Sequence, residues 1–272
     1  MPRAVALLAL TTALVGCGEE FDPQSLLNTL RILALVAEPL DVGLSETTTI
    51  TPHMHVPDGV EPTLSWSACP VSLGGRLGFE CIDPRCEIEI APTFSPADVS
   101  LECFDSISDD FEIPEGLGPE AAAGADAEPL AVQVRLQADE RQAVATVNLH
   151  FALTPPVRNR HPVIAELRTG ALEVAEGGSV AVEAVIDPDS IDTFTREEAG
   201  RSIEQPEEIL VEWYSTTGRF KTERTDGPRH ETEWEATKLE DGQGSVKIWA
   251  AARDLRGGQA VAGPITLRIK RR

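Results

Sequence analysis

The sequence predicts an all-β protein made of two antiparallel β-sandwiches that follow a short leader. Three observations predict it. Short runs of β-branched and alternating residues recur along the chain, and helical periodicity is weak. Gly and Pro, 21 and 20 of them, punctuate those runs at close intervals. The second half also repeats the pattern of the first. Leu40-Asp41-Val42 matches Leu172-Glu173-Val174 at an offset of 132, where Ile50 falls on Val182 and Thr47 on Ser179. Leu64-Ser65-Trp66 matches Val211-Glu212-Trp213 at an offset of 147. The second copy therefore carries about 15 extra residues, which lie in the acidic stretch Ser190 to Pro206.

The leader comes first in the chain. Arg3 gives a positive start, Ala4 to Gly16 is an apolar run of 13 residues, and Leu14-Val15-Gly16-Cys17 closes it. A membrane-spanning helix needs about 20 apolar residues, so the run reads as a targeting segment. The closing tetrapeptide resembles the lipobox of bacterial lipoproteins. That resemblance implies removal of residues 1–16, a lipid on Cys17, and a place in the cell envelope, at the outer membrane rather than the inner. Residues 17–30 then form the lipidated cysteine and a polar tether.

Residues 31–155 are expected to form the first sandwich. Ile32 to Val36 reads as a buried strand, Thr47 to Thr51 as a β-branched one, and Thr63 to Ser67 and Glu87 to Ile90 as half-buried strands of period two. Residues 131–136 and 143–149 supply two more, and 113–129, rich in Ala, Gly, Pro and acid, reads as a flexible loop inside this domain. Cys69, Cys81, Cys86 and Cys103 make an even set in an exported chain, which reads as two disulfides of undetermined pairing. Only Cys81 and Cys86 approach the spacing of a structural zinc site.

Thr154 to Pro162 holds three prolines and reads as a stiff linker that lets the copies fold separately. Residues 162–272 form the second copy. One tryptophan on an early-middle strand of each copy, Trp66 and Trp213, suits an immunoglobulin-like sandwich, where a large ring fills the gap of about 10 Å between sheets. In that phase Leu64 and Trp66, and Val211 and Trp213, face inward. The second copy adds Asp187-Pro188-Asp189, Gly218-Arg219-Phe220, Trp234, and Asp254-Leu255-Arg256-Gly257-Gly258. This text resembles the PKD-like and cadherin-like repeats of bacterial surface proteins. The Arg31 to Pro39 opening and Trp66-Ser67-Ala68-Cys69-Pro70 resemble myxobacterial-type surface lipoproteins.

No chemistry-bearing motif follows. The G-x-S-x-G elbow, the H-E-x-x-H helix and the P-loop are absent, so enzyme activity is not expected. His53 and His55 share a strand face but have no third ligand nearby in sequence. Asp187, Asp189, Asp192 and Asp254 are the calcium candidates, carboxylates on turns, although Asp-Pro is also plain turn chemistry. No other cofactor is indicated. The net charge of −22 argues against nucleic acid as a partner. The expected role is a non-catalytic interaction or structural one, with a protein of the envelope as partner and the membrane engaged through Cys17. A calcium-dependent adhesive module and a lipid-anchored enzyme with a scattered active site are the alternatives.

Overall fold

The computed structural model describes residues 23–43, 45–70, 80–81, 83–107, 130–138, 140–152, 158–198, 201–237 and 244–271. The leader, Cys17 and the 113–129 segment lie outside them.

The first half contains β1 (Arg31–Glu38), β2 (Asp41–Gly43), β3 (Thr48–His55), β4 (Thr63–Cys69), β5 (Ile88–Glu89), β6 (Thr93–Phe94), β7 (Leu130–Ala138) and β8 (Arg141–Ala152). They form two sheets, ordered β1-β3-β6 and β2-β8-β7-β4-β5. The second half contains β9 (Ile164–Thr169), β10 (Glu173–Ala175), β11 (Ser179–Ile186), β12 (Thr193–Glu198), β13 (Arg201–Pro206), β14 (Leu210–Ser215), β15 (Arg219–Phe220), β16 (Arg224–Thr225), β17 (His230–Glu235), β18 (Ser245–Arg253) and β19 (Gln259–Lys270). Its sheets run β15-β17-β11-β9 and β10-β19-β18-β14-β16, with β12-β13 as a separate hairpin.

The two halves share one topology. β2-β8-β7-β4-β5 corresponds strand for strand to β10-β19-β18-β14-β16, and β1-β3-β6 to β9-β11-β17. Even the exceptional pairings agree, since β2–β8 and β10–β19 are both parallel. The extra residues of the second copy are the β12–β13 hairpin and the turn before it.

Each sandwich closes over its own core. Leu35, Ile50, Trp66, Val132, Val147 and Leu149 fill the first. Val182, Val211, Trp213, Trp234, Ile248 and Leu267 fill the second. Trp213 is 1% exposed and donates its indole N–H to Thr225 Oγ1 at 3.1 Å, so its one polar atom is satisfied inside. Trp66 is 9% exposed. Leu64 departs from the expected inward packing and is 38% exposed. Gly218 is a position only glycine fits. Its φ is +77°, and a Cβ there would stand 2.5 Å from the Trp234 ring.

The helix α1 (Pro96–Ile107) interrupts the all-β pattern of the first half. Ser95 Oγ accepts from Asp98 N at 3.4 Å and Pro96 opens the first turn. Val99 and Cys103 put one helix face inside, 5% and 0% exposed. Two disulfides, Cys69–Cys81 and Cys86–Cys103, fasten this region to the end of β4. Bridges that close loops of this length contribute roughly 2–4 kcal/mol each.

An interface between the two sandwiches

The second sandwich presents the outer face of its five-stranded sheet to the first. β1 is the terminal strand of its own sheet, and unpaired strand edges carry peptide groups that need partners. Side chains of the second sandwich supply them at every second residue. Arg253 Nη2 donates to Leu33 O at 2.9 Å. Gln259 Oε1 accepts from Leu35 N at 3.3 Å. His161 Nε2 lies 2.7 Å from Ala37 O. Gln259 N donates to His161 Nδ1 at 3.1 Å, which leaves Nε2 to carry the ring proton and donate to Ala37.

An apolar contact underlies this ladder. Leu27 and Leu33 of the first half, 2% and 1% exposed, pack on Tyr214 and Ala251, with Trp249 and Val261 beside them. Burying a leucine fully is worth about 1.5–3 kcal/mol. His55 meets the Trp249 ring edge-on at 5.7 Å. Trp249, on β18, thus belongs to the contact between sandwiches.

Residues 24–27, inside the stretch expected to be a tether, are strapped to the same sheet. Leu27 N donates to Ser215 O at 2.8 Å, Ser215 N to Ser25 O at 2.9 Å, and Ser25 Oγ to Glu223 at 2.8 Å. A cleft of about 320 Å³ lies between this strap and β14–β16. Its charged groups are already paired. Glu212 accepts from Arg224 at 2.6 Å, Arg253 at 3.0 Å and the Tyr214 hydroxyl at 3.0 Å. Burial pushes the Glu212 carboxyl up, but the two arginines and the tyrosine outweigh it and hold it below the ordinary glutamate value. Burial, with Glu212 beside it, raises the Tyr214 hydroxyl from 10.0 to about 12.

The end of the linker is bonded at each described residue from 158 to 161. Arg158 Nη2 reaches both oxygens of Glu46 at 2.7 Å. Asn159 N donates to Asp41 Oδ2 at 2.6 Å, and its side-chain amide donates to Asp254 Oδ2 at 2.8 Å. Arg160 Nε donates to Asp192 Oδ1 at 2.8 Å. The expectation of two separately folding copies meets a shared contact here, because the linker holds them together instead of spacing them apart.

The calcium candidates are occupied by protein donors. Asp187 caps the turn Pro188–Ser190 through Asp189 N. Asp192 answers Arg160, which holds its carboxyl below the usual range. Asp254 is 2% exposed and organises the β18–β19 turn by accepting from Arg256 N and Gly258 N, both at 2.8 Å. Among the described residues, no group of three or more His, Cys, Asp or Glu side chains is arranged to hold a metal ion. His53 and His55 on β3 are half-buried, and burial pushes both rings below the ordinary histidine value.

A further buried group was missed by the sequence reading. Glu207, 6% exposed, accepts from Arg256 Nη1 at 2.5 Å and from Asp192 N at 3.1 Å. Burial raises its carboxyl, and Arg256 only partly offsets this. Arg256 also lies over the Phe194 ring at 4.9 Å, which fixes the root of the β12–β13 hairpin.

No family model and no curated protein matches the chain. Among solved structures it is similar to the D00-D0 domain of intimin, with 9% identity over 88% of this chain and 98% of that one and a TM-score of 0.26. The tandem Ig repeats of Dlar give 10% identity, 90% and 97% coverage and a TM-score of 0.27. Murine CEACAM1b gives 12%, 87% and 99%, and 0.23. The sheet order described above makes both sandwiches immunoglobulin-like.

Proposed function

We propose that this chain is a lipid-anchored protein of the cell envelope, held at Cys17 and facing the periplasm or exterior from the outer membrane, with a non-catalytic role in binding a protein partner. The leader pattern supports the anchor. One structural observation supports the binding role: among the described residues, every buried side-chain nitrogen and oxygen has a hydrogen-bond partner. The buried carboxylates Glu207 and Asp254, with the half-buried Arg256, are engaged in holding turns and linker in place. The result is a two-sandwich body that displays sheet faces.

Mass spectrometry of the mature N-terminal peptide tests the anchor. An acylated Cys17 is expected, and Cys17→Ala should leave the membrane fraction or remain unprocessed. A processed N-terminus with free Cys17 would overturn it. Cross-linking in intact envelopes tests the binding role. A defined protein cross-linked to the first sandwich is expected, and its complete absence at saturating reagent would overturn the role.

A further inference from the structure

His161 joins the two sandwiches through both ring nitrogens. Nε2 donates to Ala37 O on β1 at 2.7 Å, and Nδ1 accepts from Gln259 N on β19 at 3.1 Å. A carbonyl cannot donate and a backbone N–H cannot accept, so this pair of bonds admits only the neutral ring with its proton on Nε2. The imidazolium carries a second N–H, on Nδ1, which would point at the Gln259 N–H. That ring must turn away, and the bond to Ala37 goes with it. The Gln259 side chain holds Leu35 N and also accepts from Arg253, which reaches Leu33 O, so the whole ladder along β1 is tied to the His161 ring. Glu38 Oε2 on β1 lies 3.7 Å from Nε2 and favours the imidazolium, but its side chain is 78% exposed and water screens it. In the linker, Arg160 is engaged by Asp192. A second histidine stands at the other end of β1. His55, paired with Arg31, meets Trp249 of β18 edge-on. Burial first, then the Lys247 and Arg31 charges, outweigh Asp58 and the Leu27 carbonyl and hold this ring below the ordinary histidine value.

We propose that the contact between the sandwiches is an acid-released latch, shut while the His161 ring is neutral and opened when that ring takes a second proton, with His55 acting in the same sense. The shut seam accepts only the neutral ring, and the parted seam leaves the ring in water. The shut form is therefore favoured above the titration range of free histidine and weakened below it. A histidine free in water titrates near pH 6.5, so by about pH 5 its charged form outnumbers the neutral one about thirtyfold, and the closing constant falls by up to that factor. What acid uncovers is the edge of β1, with the peptide groups of Leu33, Leu35 and Ala37, and the apolar patch of Leu27, Tyr214 and Ala251. The surface offered to a partner thus changes with pH. The inference needs neither the anchor nor the partner proposed above.

Hydrogen exchange of the purified full chain, from about pH 7.5 to about pH 5, tests it, with rates corrected for the intrinsic chemistry at each pH. The Leu35 amide reads the seam, since its N–H is bonded to Gln259 across it. Its protection should fall about tenfold or more between those limits. Val132 and Val182, each 0% exposed on the interior strands β7 and β11, should keep theirs. His161→Gln offers an amide donor and a carbonyl acceptor that do not titrate. It should remove most of the fall, whatever it does to protection at the upper limit. His55→Phe keeps a ring against Trp249 and should remove a smaller part. A Leu35 amide equally protected at both limits overturns the proposal. So does a fall as large in His161→Gln as in wild type. Loss at Leu35 in step with Val132 or Val182 overturns it too, because that is acid unfolding of a sandwich, for which His230, buried in the second one and held by that burial below the ordinary histidine value, supplies a route.

Discussion

The outer faces of the two five-stranded sheets have the same strand order and cross-strand rows, yet one is covered and the other open. On the covered face stand Tyr214, Trp249, Ala251 and Arg253, while serine, threonine and glutamine dominate the open one. Duplicating a topology does not duplicate its surface chemistry. Two substitutions of character separate the faces. Tyr214 and Trp249 supply contact area, and Arg253 supplies donors that reach a neighbouring strand edge. The first copy has Ser67, Gln133 and Gln137 at those three positions.

The largest expected effect compares the two tryptophans. Trp213→Ala should cost about 3–5 kcal/mol, by cavity formation and by leaving Thr225 Oγ1 without its donor. Trp66→Ala should fall at the low end of that range, since Trp66 sits nearer the rim. Urea titration of both variants measures the difference. Hydrogen exchange sharpens it, because Trp213→Ala should also deprotect β1 across the interface. Normal protection of β1 in that variant would mean that the sandwiches are energetically separate.

Arg253→Ala should cost about 1–3 kcal/mol, since it strips Leu33 O and Glu212 of a buried donor. Gln137→Ala, at the matching position of the open face, should stay within about 0.5 kcal/mol of wild type. Equal losses by chemical denaturation would abolish the distinction between the faces.

Alkaline pH tests the covered face alone. The folded-state value of Tyr214 is raised, from 10.0 to about 12. The stability this provides is therefore complete below pH 10 and is lost as pH rises toward 12. Tyr214→Phe should be less stable than wild type near neutrality, and the gap should narrow over that window in thermal melts. A constant gap would mean that Tyr214 ionises as freely folded as unfolded.

The smallest effect belongs to Arg158→Ala, which removes an ion pair with Glu46 at the surface. The Arg158 side chain, with Gly43 N–H and its own charge, holds the Glu46 carboxyl below its usual value. Its contribution is present above the unfolded glutamate value and is lost as pH falls through the folded one. Salt titration of the melting temperature should erase the difference between variant and wild type. A difference that survives high salt would make the linker contact more than an exposed ion pair.

The strands were legible where one face is buried and the other wet. Thr63–Cys69 and Ser179–Ile186 carry that alternation in the text, and the repeat followed from it. α1 was less visible because its inward residues, Val99 and Cys103, are few. Ser95-Pro96-Ala97-Asp98 was the signal that could have revealed its start. The interface was not legible at all. Leu33, Tyr214 and Trp249 are ordinary strand residues in sequence, and only the meeting of two sheets makes their outer positions apolar contacts. Asp254 illustrates the opposite error. Its oxygens read as available for a cation, but the backbone N–H groups of its own turn already claim them.

The strap at residues 24–27 has a mechanical consequence. A pull on the chain at Pro23 loads both sandwiches at once. Gln24 O accepts from Arg31 at the start of β1, and tension also passes through Ser25 O and Leu27 N–H into Ser215, at the end of β14. The C-terminal half of the chain thus shares load applied at the N-terminal side.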